Sequence, residues 1–178
     1  MFAELPTADV SLMVTVMRLF CCCIALAAMF ASECSAATRA YVMNGLYVGD
    51  GLARVAERLR ARGDIVQFGS YTQADAFAAD ACAHRSDRIV VVGHSFGAQA
   101  AARVATQARA CGARAVTMIG IDPPKGDTSV RGVSRAVNFV GEYEGTIAGA
   151  RNVPVPGYSH MGIMESPAMQ ARILSAAQ

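Results

Sequence analysis

The stretch of sequence that decides the fold is residues 88–98, which read RIVVVGHSFGA. The four β-branched residues Ile89–Val92 are typical of a strand that is buried on both faces, as in the middle of a parallel sheet. A G-x-S-x-G pattern centred on Ser95 follows, and a helical pattern rich in alanine begins at Ala98. Because strand, glycine-flanked serine and helix follow one another directly, the segment predicts a sharp strand-to-helix turn that presents Ser95.

Ser95 is the candidate nucleophile of this turn. A serine hydroxyl attacks a carbonyl carbon efficiently only when the backbone presents it openly and a base removes its proton. The helix that follows directs its N-terminal amides toward the place where an oxyanion would develop. We expect the Phe96 amide and the Leu46 amide, from the loop after the first strand, to form the oxyanion hole. The alternative interpretation is a glycine-rich turn that binds an anion.

His160 is the candidate general base, because it is the only histidine that follows Ser95 in the chain. It lies in a loop-like segment near the C-terminus, which gives the chain order nucleophile, acid, histidine. His94, inside the turn, is expected to point away from Ser95 and to pack against neighbouring residues. His84 is expected to end a surface helix in contact with solvent.

Two regions compete to supply the acid. Asp122 directly follows the predicted strand 116–121, and Glu142 and Glu144 follow the next predicted strand in the same way. Functional residues of open α/β sheets gather at these carboxyl ends of strands. Asp122 is favoured because its strand lies next to that of Ser95 and a buried strand is a rigid mount. Glu142 or Glu144 remains the alternative acid. If one of them is the acid, Asp122 is simply a turn residue before two prolines.

Strands and helices alternate along the whole chain from Ala40 onward. Short apolar runs predict strands, and amphipathic segments predict helices, one of them capped by Thr72 and the last beginning at Ser166-Pro167. The alternation predicts an α/β fold with an open, mostly parallel sheet of five or six strands and helices on both faces, in one domain over residues 37–178. The predicted strands cover residues 41–43, 65–68, 89–92, 116–121, 136–140 and 153–155.

Residues 93–98 resemble the nucleophile turn of the α/β-hydrolase superfamily, in particular of its small lidless lipase-like and thioesterase-like secreted members. Residues 152–163 resemble the histidine segment of small bacterial secreted lipases, and Asp122 with its two prolines is similar to the acid of the thioesterase branch. The resemblance runs from about residue 40 to residue 174. It implies a Ser-His-Asp triad on an α/β-hydrolase fold. The fold is expected to be trimmed, because the chain that remains after signal-peptide cleavage is too short to include the first two strands of the full fold.

The N-terminal segment 1–36 has the pattern of a secretory signal peptide. Arg18 precedes the apolar run 19–30, and small residues follow it. The run is shorter than the roughly 20 residues of an ordinary membrane span. Residues 1–16 lie before this pattern and do not fit it, which suggests Met17 as the true start. We expect a secreted or periplasmic protein with no stable membrane span after cleavage; the alternative is an anchor that is never removed.

Cys82 and Cys111 are the two cysteines of the segment 37–178. In an oxidising compartment two such cysteines can form one disulfide. Both can equally be small apolar residues buried on their helices, since free cysteine behaves in this way. The sequence does not give the distance between the two positions, so both interpretations stay open.

Composition and charge exclude several classes of function. The net charge is only +2, Lys125 is the only lysine, and the arginines are scattered along helices. Nucleic-acid binding would require a basic stripe, which is not present. Three separated histidines and two cysteines offer no metal-ligand spacing, so we expect no metal and no other cofactor. We expect a monomer.

These residues predict hydrolysis of a small-molecule carboxylic ester or thioester through an acyl-enzyme on Ser95. Two alternatives remain. An acyltransferase would use the same serine, and would differ only in whether water or another alcohol reaches the acyl-enzyme. A non-catalytic binding protein on a hydrolase scaffold would lack the acyl-enzyme altogether.

Overall fold

Six strands of the computed structural model, which describes residues 37–47 and 49–178, form one sheet. In chain order the elements are β1 (Thr38–Asn44), α1 (Asp50–Ala61), β2 (Ile65–Ser70), α2 (Ala74–Ala83), β3 (Arg88–His94), α3 (Phe96–Ala110), β4 (Ala115–Ile121), β5 (Thr128–Ser129), β6 (Arg135–Val140), β7 (Ile147–Ala148), β8 (Arg151–Pro154), α4 (Gly162–Glu165) and α5 (Pro167–Ala176). The strand order in the sheet is β2-β1-β3-β4-β6-β8, and every neighbouring pair is parallel. The prediction of a mostly parallel sheet of five or six strands is therefore confirmed.

Helices cover both faces of the sheet, as predicted. Successive side chains of a strand point to opposite faces, so β1 sends Tyr41 and Met43 into one core and Ala40 and Val42 into the other. The first core is closed by α2 and α3, and the second by α1, α4 and α5. Because both faces of β1, β3 and β4 are buried, these strands are nearly continuous apolar runs.

The start of α2 differs from the sequence-based expectation. Thr72 was expected to cap this helix, but Ser70 is the capping residue, and it caps a short 3-10 turn over Tyr71–Gln73. The Ser70 hydroxyl accepts a hydrogen bond from the Thr72 amide, and the Gln73 side chain accepts one from the Ser70 amide. This capping box starts the 3-10 turn, and α2 continues from it at Ala74 without a side-chain cap of its own.

A disulfide joins α2 to the C-terminal end of α3. Cys82 and Cys111 are bonded, with their Cα atoms 5.7 Å apart and a sequence separation of 29. The alternative of two separate buried cysteines is therefore wrong for this structure. The bond closes a loop that contains all of β3 and the Ser95 turn.

Two connections of the sheet contain no helix in the described structure. The chain passes from β4 to β6 and from β6 to β8 through loops that contain only the two-residue strands β5 and β7. These strands pair with each other in parallel as a second, small sheet. The sequence analysis did not predict this sheet, because two residues are too few to show a periodic pattern.

The predicted signal peptide, residues 1–36, lies outside the described residues, as does the proposed start at Met17. Among the helices that the structure does describe, none is long and apolar enough to cross a membrane.

Candidate active site

The backbone at Ser95 makes the predicted sharp turn. Ser95 separates β3 from α3 with φ 59° and ψ −128°, a left-handed conformation that a residue with a side chain rarely adopts. Its amide donates to the Ile121 carbonyl at the end of β4, and its carbonyl accepts from the Ala98 amide, both at 2.9 Å. The turn is therefore held from both sides, and the strain is compensated by the elements around it.

The two glycines of the turn are required by close backbone approach. A Cβ atom on Gly93 would lie 1.9 Å from the Gly97 carbonyl oxygen, and one on Gly97 would lie 2.2 Å from the Met43 carbonyl oxygen. Neither position can hold a side chain, because both contacts are with backbone that cannot move aside. This is the physical reason for the G-x-S-x-G spacing at the start of α3.

The loop after β1 runs directly beside Ser95. A Cβ atom on Gly45 would lie 2.8 Å from Ser95 Cβ and 3.1 Å from Ser95 Oγ. Leu46 follows in the same loop with an exposed side chain, and Phe96 is the first residue of α3. The two segments predicted to form the oxyanion hole are thus brought to the same serine. The use of the Leu46 and Phe96 amides as donors stays a prediction.

Asp122 and His160 form a buried hydrogen-bonded pair. His160 Nδ1 lies 2.8 Å from Asp122 Oδ2, and Asp122 is fully buried. The other carboxylate oxygen, Oδ1, accepts the amides of Gly141 and Tyr143, each at 3.0 Å. Asp122 has φ 43°, so its backbone is strained like that of Ser95. The carboxylate is held by three donors, which fix it against the imidazole.

Asp122 lies beside Ser95 at the edge of the sheet because β3 and β4 end at the same level. The sheet register pairs His94 with Ile121, so Ser95 and Asp122 are the next residues of neighbouring strands. Since Asp122 only accepts, His160 Nδ1 carries the proton and Nε2 is left as an acceptor. Within the described residues, no hydrogen bond joins Ser95 Oγ to His160. Bonds of this kind often tighten only when substrate is bound.

The two glutamates predicted as alternative acids are placed elsewhere. Glu142 Oε2 accepts the backbone amide of His160 at 2.6 Å and does not contact the ring nitrogen that Asp122 holds. Glu144 lies at the surface, where its carboxylate pairs with Lys125 Nζ at 2.8 Å. The hydrogen bond from Lys125 lowers the pKa of Glu144 below its ordinary value. Of the three candidate acids, the structure brings only Asp122 to the imidazole.

His94 packs, as predicted, and its packing partner is His160. The two rings stack with centroids 4.4 Å apart, and His94 Nε2 lies 2.9 Å from the His160 carbonyl oxygen. Burial lowers the pKa of His94 from 6.5 to about 4, and the nearby His160 adds to the effect. The ring is therefore neutral near pH 7, and its Nε2–H donates to the carbonyl. His84, in contrast, is partly exposed at the end of α2.

Tyr143 is a site residue that the sequence analysis missed. Its ring stacks on the other face of the His160 imidazole, with centroids 3.6 Å apart and planes 9° apart. The only signal in the sequence is an aromatic residue shortly after a strand that also carries acidic candidates. Such a position is common in loops, so it could not have been selected without the structure.

Large apolar side chains are exposed beside each part of the site. We call this set the apolar rim; its members belong to the segments that carry the site or directly follow a site residue, and they are Leu46, Tyr47, Phe96 and Met161. A cleft of about 450 Å³ also begins at Phe96, between α3, Tyr71 and the segment 127–129. The Phe96 and Tyr71 rings that line it have centroids 5.7 Å apart.

No group of three or more His, Cys, Asp or Glu side chains in the described part of the chain is arranged to hold a metal ion. The groups at the carboxyl ends of β3 and β4 are the Ser95 hydroxyl, the buried Asp122 carboxylate with the imidazole bonded to it, and main-chain amides.

The parallel sheet, the serine turn at the end of β3 and the buried acid–histidine pair define a hydrolase of the α/β type. Residues 29–174 match the sequence model of the Alpha/beta hydrolase family, and the chain belongs to this family. No curated protein sequence matches the chain.

Several solved structures are similar to this chain, and one of the three that follow has a TM-score above 0.5. One, from Xanthomonas campestris pv. campestris, is described as a hydrolase of the alpha/beta superfamily; it has 15% identity and a TM-score of 0.53, over 78% of this chain and 93% of that one. RedJ, solved with a polyethylene glycol molecule in its active site, has 14% identity and a TM-score of 0.48, over 80% and 92%. The NocB thioesterase domain of the nocardicin cluster has 16% identity and a TM-score of 0.44, over 80% and 94%.

Proposed function

We propose that the protein is a serine hydrolase that cleaves a carboxylic ester or thioester through an acyl-enzyme on Ser95. The observation that carries the proposal is the buried pair of Asp122 and His160, 2.8 Å apart, at the strand end next to the serine turn. A buried carboxylate on one ring nitrogen leaves the other free to take a proton, which is what a nucleophilic serine requires.

The reaction proceeds in two half-reactions. Ser95 Oγ attacks the carbonyl carbon while its proton passes to His160 Nε2, and Asp122 stabilises the imidazolium that forms. The amides of Phe96 and Leu46 hold the oxyanion of the tetrahedral intermediate. The bond to the leaving oxygen or sulfur then breaks, and His160 returns its proton to the departing alcohol or thiol. Water repeats the same steps on the acyl-enzyme and releases the acid.

The apolar rim supports a substrate with an apolar group on one side of the reacting carbonyl. Exposed apolar side chains that cluster on a surface are typical of binding sites, since scattered ones need no explanation. Here they lie next to the nucleophile, the oxyanion loop and the histidine. We therefore propose a small apolar ester or thioester as the substrate class, acted on by a monomer.

The decisive experiment compares Ser95→Ala with the parent protein on p-nitrophenyl esters of graded acyl length and on a matching thioester. Only a hydroxyl is removed, so the variant should fold normally and lose essentially all activity. Ser175→Ala, at the exposed end of α5, removes the same group away from the site and should be fully active. A Ser95→Ala protein that still turned over at a substantial fraction of the parental rate would refute the proposal.

A fluorophosphonate probe separates hydrolase from binding protein. The probe reacts covalently with an activated serine, so it should label the parent and Ser175→Ala but not Ser95→Ala. A folded parent that takes up no label and hydrolyses no ester would favour a non-catalytic binding protein. An added alcohol tests the acyltransferase alternative, because an acyltransferase would transfer the acyl group to the alcohol in preference to water.

We also propose that the protein is secreted or periplasmic. The signal-like pattern of residues 1–36 supports this, and so does the Cys82–Cys111 disulfide, because disulfides persist mainly in oxidising compartments. Protein recovered from the native host should begin at Ala37 or Thr38. Exported protein that still carried residues 1–16 would contradict the proposal.

A further inference from the structure

The imidazole of His160 lies between two aromatic rings. His94 stacks on one face at 4.4 Å between centroids, with planes 29° apart, and Tyr143 stacks on the other at 3.6 Å, with planes 9° apart. His160 is only 8% exposed, whereas Tyr143 is 43% exposed. Tyr143 therefore separates the imidazole from solvent on the face that the core does not cover.

The Tyr143 ring is held in this position by its own backbone. The Tyr143 amide donates to Asp122 Oδ1 at 3.0 Å, and the neighbouring Glu142 accepts the His160 amide at 2.6 Å. The turn 141–143 thus bonds to both members of the acid–histidine pair. Because these bonds use main-chain atoms or the neighbouring residue, a substitution of the Tyr143 side chain removes the ring and leaves the turn's own bonds in place.

The two stacked rings differ in how they can interact with a positively charged imidazole. A π face attracts a cation that lies within about 6 Å of the ring centroid, and the tyrosine face is well within this distance. His94 uses its Nε2–H for the His160 carbonyl and lies in the core. In the proposed mechanism His160 becomes a cation when it takes the Ser95 proton, so an attraction to that charge acts in the transition states and intermediates.

We propose that Tyr143 is a positioning residue whose ring face stabilises the imidazolium form of His160 during acyl transfer. The inference deepens the proposed hydrolase function and rests on it. The role requires the π face of residue 143 and not its hydroxyl, since the stacked geometry places the ring, and not the oxygen, over the imidazole.

The kinetic test uses two replacements of similar bulk. Tyr143→Phe keeps the π face and should keep kcat within about twofold of the parent. Tyr143→Leu keeps apolar cover without a π face, and its kcat should fall about tenfold with KM unchanged, the range expected of one cation–π contact. Equal kcat for Phe and Leu, an equal loss in both, or an effect confined to KM would each overturn the proposal.

A chemical test is independent of substrate and of the proposed reaction. Diethyl pyrocarbonate acylates accessible histidines, and the partly exposed His84 serves as internal reference in each sample. His160 modification, mapped by mass spectrometry, should rise severalfold in Tyr143→Ala relative to the parent and to Tyr143→Phe, with His84 unchanged. If His160 reacted equally in all three proteins, the ring would not cover it and the proposal would fail. Failure of the proposed function would instead appear as a folded parent protein that hydrolyses no ester, or as a Ser95→Ala protein that keeps the parental activity.

Discussion

Replacement of Asp122 by asparagine is the most informative perturbation of the site, because the structure determines how the new amide must sit. Asp122 Oδ1 accepts the amides of Gly141 and Tyr143, so the asparagine oxygen has to take that place. Its NH₂ group then faces His160 Nδ1 where a carboxylate oxygen stood. A donor in this position forces Nδ1 to accept, which moves the histidine proton to Nε2 and removes the base that Ser95 needs.

The expected magnitude follows from this tautomer change. The equivalent replacement in serine triads lowers kcat by about 10⁴, which corresponds to about 5.5 kcal/mol of activation free energy. KM should change little, because Asp122 is fully buried and cannot contact substrate. The two amide bonds survive the change, so the thermal unfolding midpoint should stay close to that of the parent.

The assay is steady-state hydrolysis of a p-nitrophenyl ester, with the fluorophosphonate labelling rate as a second measure of serine reactivity. Glu142→Gln and Glu144→Gln are the matched controls and should each cost less than about tenfold in kcat, since neither carboxylate contacts the imidazole ring nitrogens that the reaction uses. The reasoning is refuted if Asp122→Asn is nearly silent while one of the glutamine variants loses activity. The acid would then follow the later strand β6.

Two further predictions test the surroundings of the serine. Gly45→Ala places a methyl group 2.8 Å from Ser95 Cβ and should lower kcat/KM by about 10². Gly126→Ala is the control and should leave kcat/KM unchanged, because its Cβ would meet its nearest atom at 3.6 Å. Equal activity of the two variants would contradict the prediction. Loss of the Cys82–Cys111 bond, whose cysteines have a sequence separation of 29, should lower the free energy of unfolding by about 3–4 kcal/mol. Urea unfolding of Cys82→Ser should show this loss. A reductant should lower the free energy of unfolding of the parent protein and leave that of Cys82→Ser unchanged.

Much of the fold could be predicted because its signals are periodic. The β-branched run in β3 and the amphipathic α1 each follow from spacing alone, and their alternation leads to a parallel sheet. The small sheet of β5 and β7 could not be predicted, because a strand of two residues has no period. Several predicted strands also began or ended one to three residues inside the observed ones, since polar ends such as Asn44 and Ser70 continue the pairing without an apolar signal. The last predicted strand, 153–155, is shifted along the chain from the observed Arg151–Pro154.

The candidate site was predictable only where a local motif determines the backbone. Ser95 follows from its glycine spacing, which reflects contacts within one turn. The choice between Asp122 and Glu142 depends on the strand register and on a loop that returns from further along the chain, and neither leaves a pattern in the sequence. The ring of Tyr143 and the disulfide partner of Cys82 depend in the same way on distances between elements.

Backbone strain marks the same site independently of any motif. Among the described residues other than glycine, positive φ occurs at Ser95, Asp122 and Glu144. Conformations of this kind cost on the order of 1–3 kcal/mol each and persist only where the surroundings enforce them. Two of the three end the neighbouring strands β3 and β4, where the Ser95 amide bonds to the Ile121 carbonyl and three donors hold the Asp122 carboxylate. The buried central strands thus stabilise a turn and an acid that the chain would not adopt on its own, which is expected where geometry is maintained for chemistry rather than for stability.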